Sequence, residues 1–131
     1  MNTICIQINS TKIKAQFNES ETAKKIWNSL PLRAEVNTWG EEIYFAIPVK
    51  VGLEKTYAKE IVELGDLGYW PEGHCFCIFF GLTPASRGNE IRPASAVNVI
   101  GKVQGELEFL KKIKDGQKIE VKKEEIKEGR L

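Results

Sequence analysis

The sequence contains one histidine, one methionine and three cysteines, and each scarcity closes a route to function. A single histidine, His74, leaves one candidate base for a Ser-His-acid triad, and no nucleophile-elbow sequence accompanies it. The cysteines, Cys5, Cys75 and Cys77, are odd in number. On a strand, Cys75 and Cys77 point to one face with Cα atoms about 6.5–7 Å apart, at the limit of disulfide geometry. Their apolar neighbours favour reduced, buried thiols. Strand alternation sends His74 to the opposite face from both, so the trio makes no metal site. Gly65, Gly68, Gly73 and Gly81 lack the spacing and following helix of a phosphate loop, and read as bends. The chain therefore offers no metal ligand set, no cofactor motif and no catalytic residue.

Net charge is also missing. A formal charge of +1 provides no basic face for nucleic acid. No apolar run approaches the length of a membrane span. The opening residues MNTICIQINS alternate in polarity and lack the features of a signal peptide. These absences lead us to expect a cytoplasmic protein without nucleic-acid or membrane partners; oligomeric state is left open. Aspartate and arginine are scarce as well, with 16 Glu to 2 Asp and 15 Lys to 4 Arg. Lys/Glu enrichment of this kind is associated with proteins of hot environments, so a thermophilic origin is expected. A length of 131 residues suits one domain, which we place at residues 1–122, followed by a charged tail at 123–131.

What is present is alternation. Ile4, Ile6 and Ile8 alternate with Thr3, Cys5 and Gln7, and Ile13, Ala15 and Phe17 continue the pattern past an Asn9-Ser10 turn, the signature of a hairpin. Asn18 with Glu21 forms a capping-box signal, and Ala23, Ile26, Trp27 and Leu30 make one helical stripe ending at Pro31. Further strands are predicted over Ala34–Thr38, Glu42–Pro48, Leu67–Trp70, His74–Phe80, Ala94–Val103 and Lys118–Lys122, with Val51–Glu60 as loop and Ile61–Leu64 as a short strand. A second helix is predicted over Glu106–Ile113. Many short strands with two short helices favour a mainly β, closed antiparallel barrel, because closure removes exposed edges.

Two segments concentrate aromatics beside turns: Asn37-Thr38-Trp39-Gly40-Glu41-Glu42-Ile43-Tyr44-Phe45 and Gly65-Asp66-Leu67-Gly68-Tyr69-Trp70-Pro71. Glu41 and Glu42 lie near aromatic rings, where carboxylates gain raised pKa values. As strand neighbours they point to opposite faces, so a solvated pair is favoured over an acid/base pair. Trp39 and Trp70 sit beside breakers rather than in strand centres, where a ring is half exposed and free to stack on a ligand. Asn37, Glu41, Tyr44, Tyr69, Phe80, Thr83, Ser95 and Asn98 complete the expected ligand-binding set around them.

The stretch Ala94–Ile113, ASAVNVIGKVQGELEFLKKI, resembles the C-terminal part of cyclophilins, through Val99, Gly101, Lys102, Val103, Leu107, Leu110, Lys111 and Ile113. With the two aromatic segments, Phe80-Gly81-Leu82-Thr83-Pro84 and Pro93–Lys102, nearly the whole chain is similar to a small prokaryotic family of cyclophilin-like proteins without an assigned activity. The resemblance implies a cyclophilin-like β-barrel capped by two helices. It does not bring catalysis with it: the Phe-His-Arg element and the Phe-Met-x-Gln-Gly-Gly run of prolyl isomerases are absent here. The expectation is a domain that binds a peptide or small molecule in an aromatic-lined cleft. A divergent prolyl isomerase and an interaction subunit of a larger assembly are the alternatives.

Overall fold

The computed structural model describes residues 2–124. Its strands are β1 (Thr3–Ile8), β2 (Thr11–Phe17), β3 (Leu32–Glu35), β4 (Asn37–Thr38), β5 (Glu42–Ala46), β6 (Ala58–Lys59), β7 (Asp66–Trp70), β8 (Cys75–Phe79), β9 (Val97–Gln104) and β10 (Lys118–Lys123). They form one sheet in the order β3-β10-β1-β2-β9-β7-β8-β5-β4, with β6 added beside β9. Every pairing is antiparallel. The β1–β2 turn is carried by Asn9 at φ 56°, a conformation that asparagine tolerates better than most residues. The first two residues of the expected tail continue the last strand pairing: Lys123 belongs to β10, and Glu124 N–H donates to the Thr3 carbonyl at 3.0 Å. Residues 125–131 of that tail lie outside the described residues.

The expected closed barrel is corrected in one respect: the hydrogen-bonded ring stays open. The edge strands β3 and β4 do not pair with each other; they are consecutive pieces of one chain, hinged at Val36. That residue still exchanges backbone hydrogen bonds with the turn before β10, Val36 N–H to Gln117 O and Gly116 N–H to Val36 O, both 2.9 Å. Thus the chain leaves β10 at one sheet edge and joins β5 at the other, so the gap is bridged covalently.

Among the described residues there is one α-helix, α1 (Glu21–Trp27). Its cap is Ser20, whose hydroxyl accepts from Ala23 N–H at 3.0 Å, rather than Asn18. Asn18 instead ties the helix entrance to β9, donating to the Val99 carbonyl at 2.8 Å. Ala23 and Ile26 of the expected stripe are buried, and Trp27 and Leu30 pack partly buried against the same core. The second expected helix shrinks to a 3₁₀ segment, Glu108–Lys112. It lacks a side-chain cap and buries only Leu110, too little to hold a longer helix. The Ile61–Leu64 strand reduces to a single bridge, Val62 to Ile91.

Burial divides the apolar residues between two sides of the sheet. The interior core holds Ile4, Ile6, Phe17, Phe45, Tyr69, Phe76 and Ile78 among others, with Phe45 and Phe76 stacked at 5.2 Å. A smaller outer cluster contains Val62, Cys75, Cys77, Phe79, Ile91 and Val97, flanked by Tyr44, Trp70 and Val99. The β5–β8–β7–β9 section is therefore covered on both faces, which is why every residue of β8 is buried. Gly68 permits this packing: a Cβ there would stand 3.1 Å from both Phe79 and Val97 side chains. The candidate site opens from this outer cluster.

Candidate functional site

The β4–β5 hairpin sets one wall. Trp39 and Glu42 exchange backbone hydrogen bonds at 2.9 and 3.2 Å, enclosing the Gly40-Glu41 loop. Directly opposed residues of an antiparallel pair share a face, as do residues two apart on one strand. Trp39, Glu42 and Tyr44 therefore project together, onto the outer side, while Ile43 and Phe45 enter the core. Gly40 has φ +60°, and a Cβ there would lie 2.8 Å from Pro84 and 2.9 Å from the Thr83 backbone, so this tight turn is reserved for glycine.

Trp70 forms the facing wall. Strand alternation buries Tyr69 in the core and turns Trp70 outward. Its indole N–H donates to Ser95 Oγ at 2.6 Å, and that hydroxyl donates to Glu72 Oε2 at 2.8 Å. The ring also lies against Gly73, where a Cβ would be 2.5 Å from Cζ3. Between these walls, with Pro93, Ala94 and Val97 as the remaining lining, is a cavity of about 240 Å³.

Among the described residues, the one carboxyl group lining this apolar cavity belongs to Glu42, which is 6% exposed. Its Oε1 is buried with no hydrogen-bond partner. Burial pushes the carboxyl up to about 7, while hydrogen bonding to the adjacent Cys77 thiol acts in the opposite sense. Burial likewise raises the Cys77 and Cys75 thiols, with the Glu42 carboxylate adding to the effect, and raises the Tyr44 phenol. The solvated Glu41–Glu42 pair expected from sequence is thus replaced by one buried and one half-buried carboxylate on opposite sides. All three cysteines are free, and among the described residues no three His, Cys, Asp or Glu side chains gather into a metal-binding group.

Of the residues expected at the site, Trp39, Tyr44 and Trp70 line this cavity, and Ser95 supports it through the Trp70 indole. Asn37 does not line it; exposed and paired across the hairpin, it donates to the Tyr44 carbonyl at 3.4 Å. Glu41 and Phe80 border a different, more open recess of about 390 Å³. Tyr69 is wholly in the core, its hydroxyl donating to the Val49 carbonyl. Thr83 pins its own loop, donating to the Arg92 carbonyl. Asn98 is fully buried: it donates to Thr22 Oγ1 and Gly52 O at 3.0 Å and accepts from Glu54 N–H at 2.7 Å. Glu54 in turn receives the Glu21 and Thr22 N–H groups at the start of α1, at 3.1 and 2.8 Å. Burial works to raise its carboxyl, but donation from the Thr22 hydroxyl, together with these backbone N–H groups and the nearby Lys24 charge, outweighs it and holds the group low. The residues that sequence reasoning left out of the site are Glu42, Pro93, Ala94 and Val97. Glu42 had a usable signal in the Gly40-Glu41 turn, which sets it opposite Trp39 and in phase with Tyr44.

The family model described as Cyclophilin-like matches residues 2–122. The chain belongs to the cyclophilin-like family. The solution structure of a hypothetical protein from Archaeoglobus fulgidus is similar to this cyclophilin-like domain, with a TM-score of 0.79 and 40% sequence identity over 94% of this chain and 95% of that one. Among curated proteins, none matches the sequence. No helix of the described part is long and apolar enough to cross a membrane. Among the described residues, no arginine of this cyclophilin-like domain lines the cavity. Arg33 pairs with Glu120 at 2.8 Å on the β3–β10 side, and Arg92 pairs with Glu90 at 2.6 Å.

Proposed function

We propose that this cyclophilin-like domain is a binding module whose outer cleft receives a small molecule or a single side chain of a peptide. The observation that carries this reading is the convergence of Trp39, Tyr44 and Trp70 on one cavity of about 240 Å³. The volume fits the scale. Drug-sized ligands occupy sites of roughly 300–1,000 Å³, whereas an apolar cavity of about 150 Å³ admits benzene. A ligand here is therefore a compact head group.

Rigidity supports the same reading. Trp70 is held by Ser95 and Gly73, and the cleft floor belongs to a sheet buried on both faces. A preformed site loses little conformational entropy on binding. The reading is tested by thermal-shift screening of the full chain against small polar, cationic and aromatic compounds, with Trp39→Ala as control. Ligands of the cleft raise the melting temperature of the wild type by mass action and fail to raise that of the variant. Hits that stabilise both proteins equally place binding elsewhere.

A further inference from the structure

The Glu42 carboxyl is an unusual component of an aromatic cleft. It is buried, one of its oxygens has no hydrogen-bond partner among the described residues, and none of the described lysines or arginines lines the cavity to neutralise it. A second carboxylate, Glu72, lies behind the Trp70 wall, joined to it through Ser95. An uncompensated carboxylate in apolar surroundings is costly unless a partner arrives. Aromatic rings such as those lining the cavity have electron-rich faces, which attract a cation within about 6 Å of a ring centroid.

We propose that the cleft selects an organic cation, an alkylated ammonium group, with Glu42 as counter-charge and Trp39, Tyr44 and Trp70 as the walls that hold its alkyl groups. The inference rests on the cleft being a ligand site, as proposed above, and adds the chemical class of the ligand. A small metal ion does not suit this lining, because it would need several oxygen ligands where only one carboxylate is present. An alkylated ammonium needs only one counter-charge and apolar surface.

The titratable groups facing Glu42 are Tyr44 on its own strand and Cys75 and Cys77 on β8; all three are raised, away from the neutral range. Cavity-lining residues from β7, β9 and the segment before β9 are Trp70, Val97, Pro93 and Ala94, which do not titrate. In the unliganded cleft Glu42 titrates at about 7. A cation favours its ionised form, so affinity rises with pH, by up to about tenfold per unit below 7, and levels off above it. A neutral ligand that accepts a hydrogen bond from the protonated carboxyl shows the opposite slope.

The experiment is a calorimetric titration of the full chain with choline and with its uncharged carbon isostere, 3,3-dimethylbutan-1-ol, between about pH 5.5 and 8.5. A His74→Asn background keeps the single histidine out of the profile, and asparagine tolerates the φ of 53° at that turn. The expected result is that choline binds about tenfold or more tightly than the isostere, the ratio being set by desolvated cation–π attraction. Choline affinity should rise with pH, and Glu42→Gln should abolish the slope and reduce the preference to what the rings alone supply, while Glu41→Gln changes neither. Equal binding of the two compounds, or affinity that falls with pH, overturns the cation assignment and leaves the cleft as a neutral-ligand site. Binding of neither compound overturns the cation assignment; if the thermal-shift screen also finds no cleft ligand, the binding reading fails with it. Should Glu42→Gln fold poorly, the wild-type pH slope and isostere ratio still decide.

Discussion

Inside the cleft, Glu42 is the group whose charge changes near neutral pH, and its burial gives the folded state a pH signature. The carboxyl titrates at about 7 in the native protein against an ordinary value of 4.5. A raised folded-state pKa means that the native state holds the proton more tightly than the unfolded chain. Stability contributed by this group is therefore highest in acid, falls between about pH 4.5 and 7, and is flat above. The full swing is roughly 3 kcal/mol. Urea unfolding of the wild type and Glu42→Gln at a series of pH values should show a difference that follows this curve; a difference independent of pH would mean that the carboxyl is better solvated than its surroundings imply. Trp70→Ala provides a second test at this scale. Because the ring is only partly buried, its loss should cost less than the about 3–5 kcal/mol of a core tryptophan, while ligand-induced stabilisation disappears. Sequence reasoning placed both tryptophans beside turns, and adjacency to Gly40 and Pro71 was sufficient for that. It put Glu42 in solvent because exposure is the common fate of a carboxylate, and the cover supplied by residues 91–97 comes from a distant part of the chain.

At the scale of elements, the site depends on one turn and one polar network. Gly40 positions Trp39 opposite Glu42, and its φ of +60° and crowding by Pro84 leave no room for a side chain. Gly40→Ala should destabilise the domain by about 1–3 kcal/mol, the usual cost of a strained backbone position, and should weaken ligand binding by displacing Trp39. Intact binding in a destabilised variant would show that the turn does not position the wall. The second device joins the start of α1, the segment at Gly52–Glu54 and β9 through Asn98. Asn98→Ala leaves several buried polar groups unsatisfied, each worth about 1–3 kcal/mol. Chemical denaturation should report a loss in that range or above, with binding of any cleft ligand unchanged where the variant is folded. The individual strands were readable from alternation, and the helix from its apolar stripe. The cap was misplaced by two residues because Asn18 and Ser20 are equally good capping types, and only the pull of Val99 on Asn18 separates them. The late helix was overestimated because Leu107, Leu110 and Ile113 carry helical spacing over a segment too short and uncapped to use it.

At the scale of the molecule, the antiparallel order and the outer cluster together create a cleft on the outer face of the sheet, apart from the interior core. The open seam at Val36 was not readable from sequence, since alternation reports which face a strand buries and is silent on how sheet edges meet. The cyclophilin-like family assignment covers the same residues that build the cleft, yet none of the described arginines lines it. We therefore predict no acceleration of prolyl isomerisation in a proline-containing test peptide, a reaction whose uncatalysed time of tens of seconds or more makes even weak catalysis visible. Dose-dependent acceleration that persists through repurification would favour a divergent isomerase instead. The most direct test of the central claim, that the outer cleft is the binding site, reads the indole N–H signals of the three tryptophans by two-dimensional NMR during titration with small organic probes including choline. Trp39 and Trp70 line the cleft, whereas Trp27 lies under Lys123 at 4.9 Å, away from the lining. The account predicts that the Trp39 and Trp70 signals move together and saturate while Trp27 stays still; movement confined to Trp27, or no movement with any probe, would contradict it.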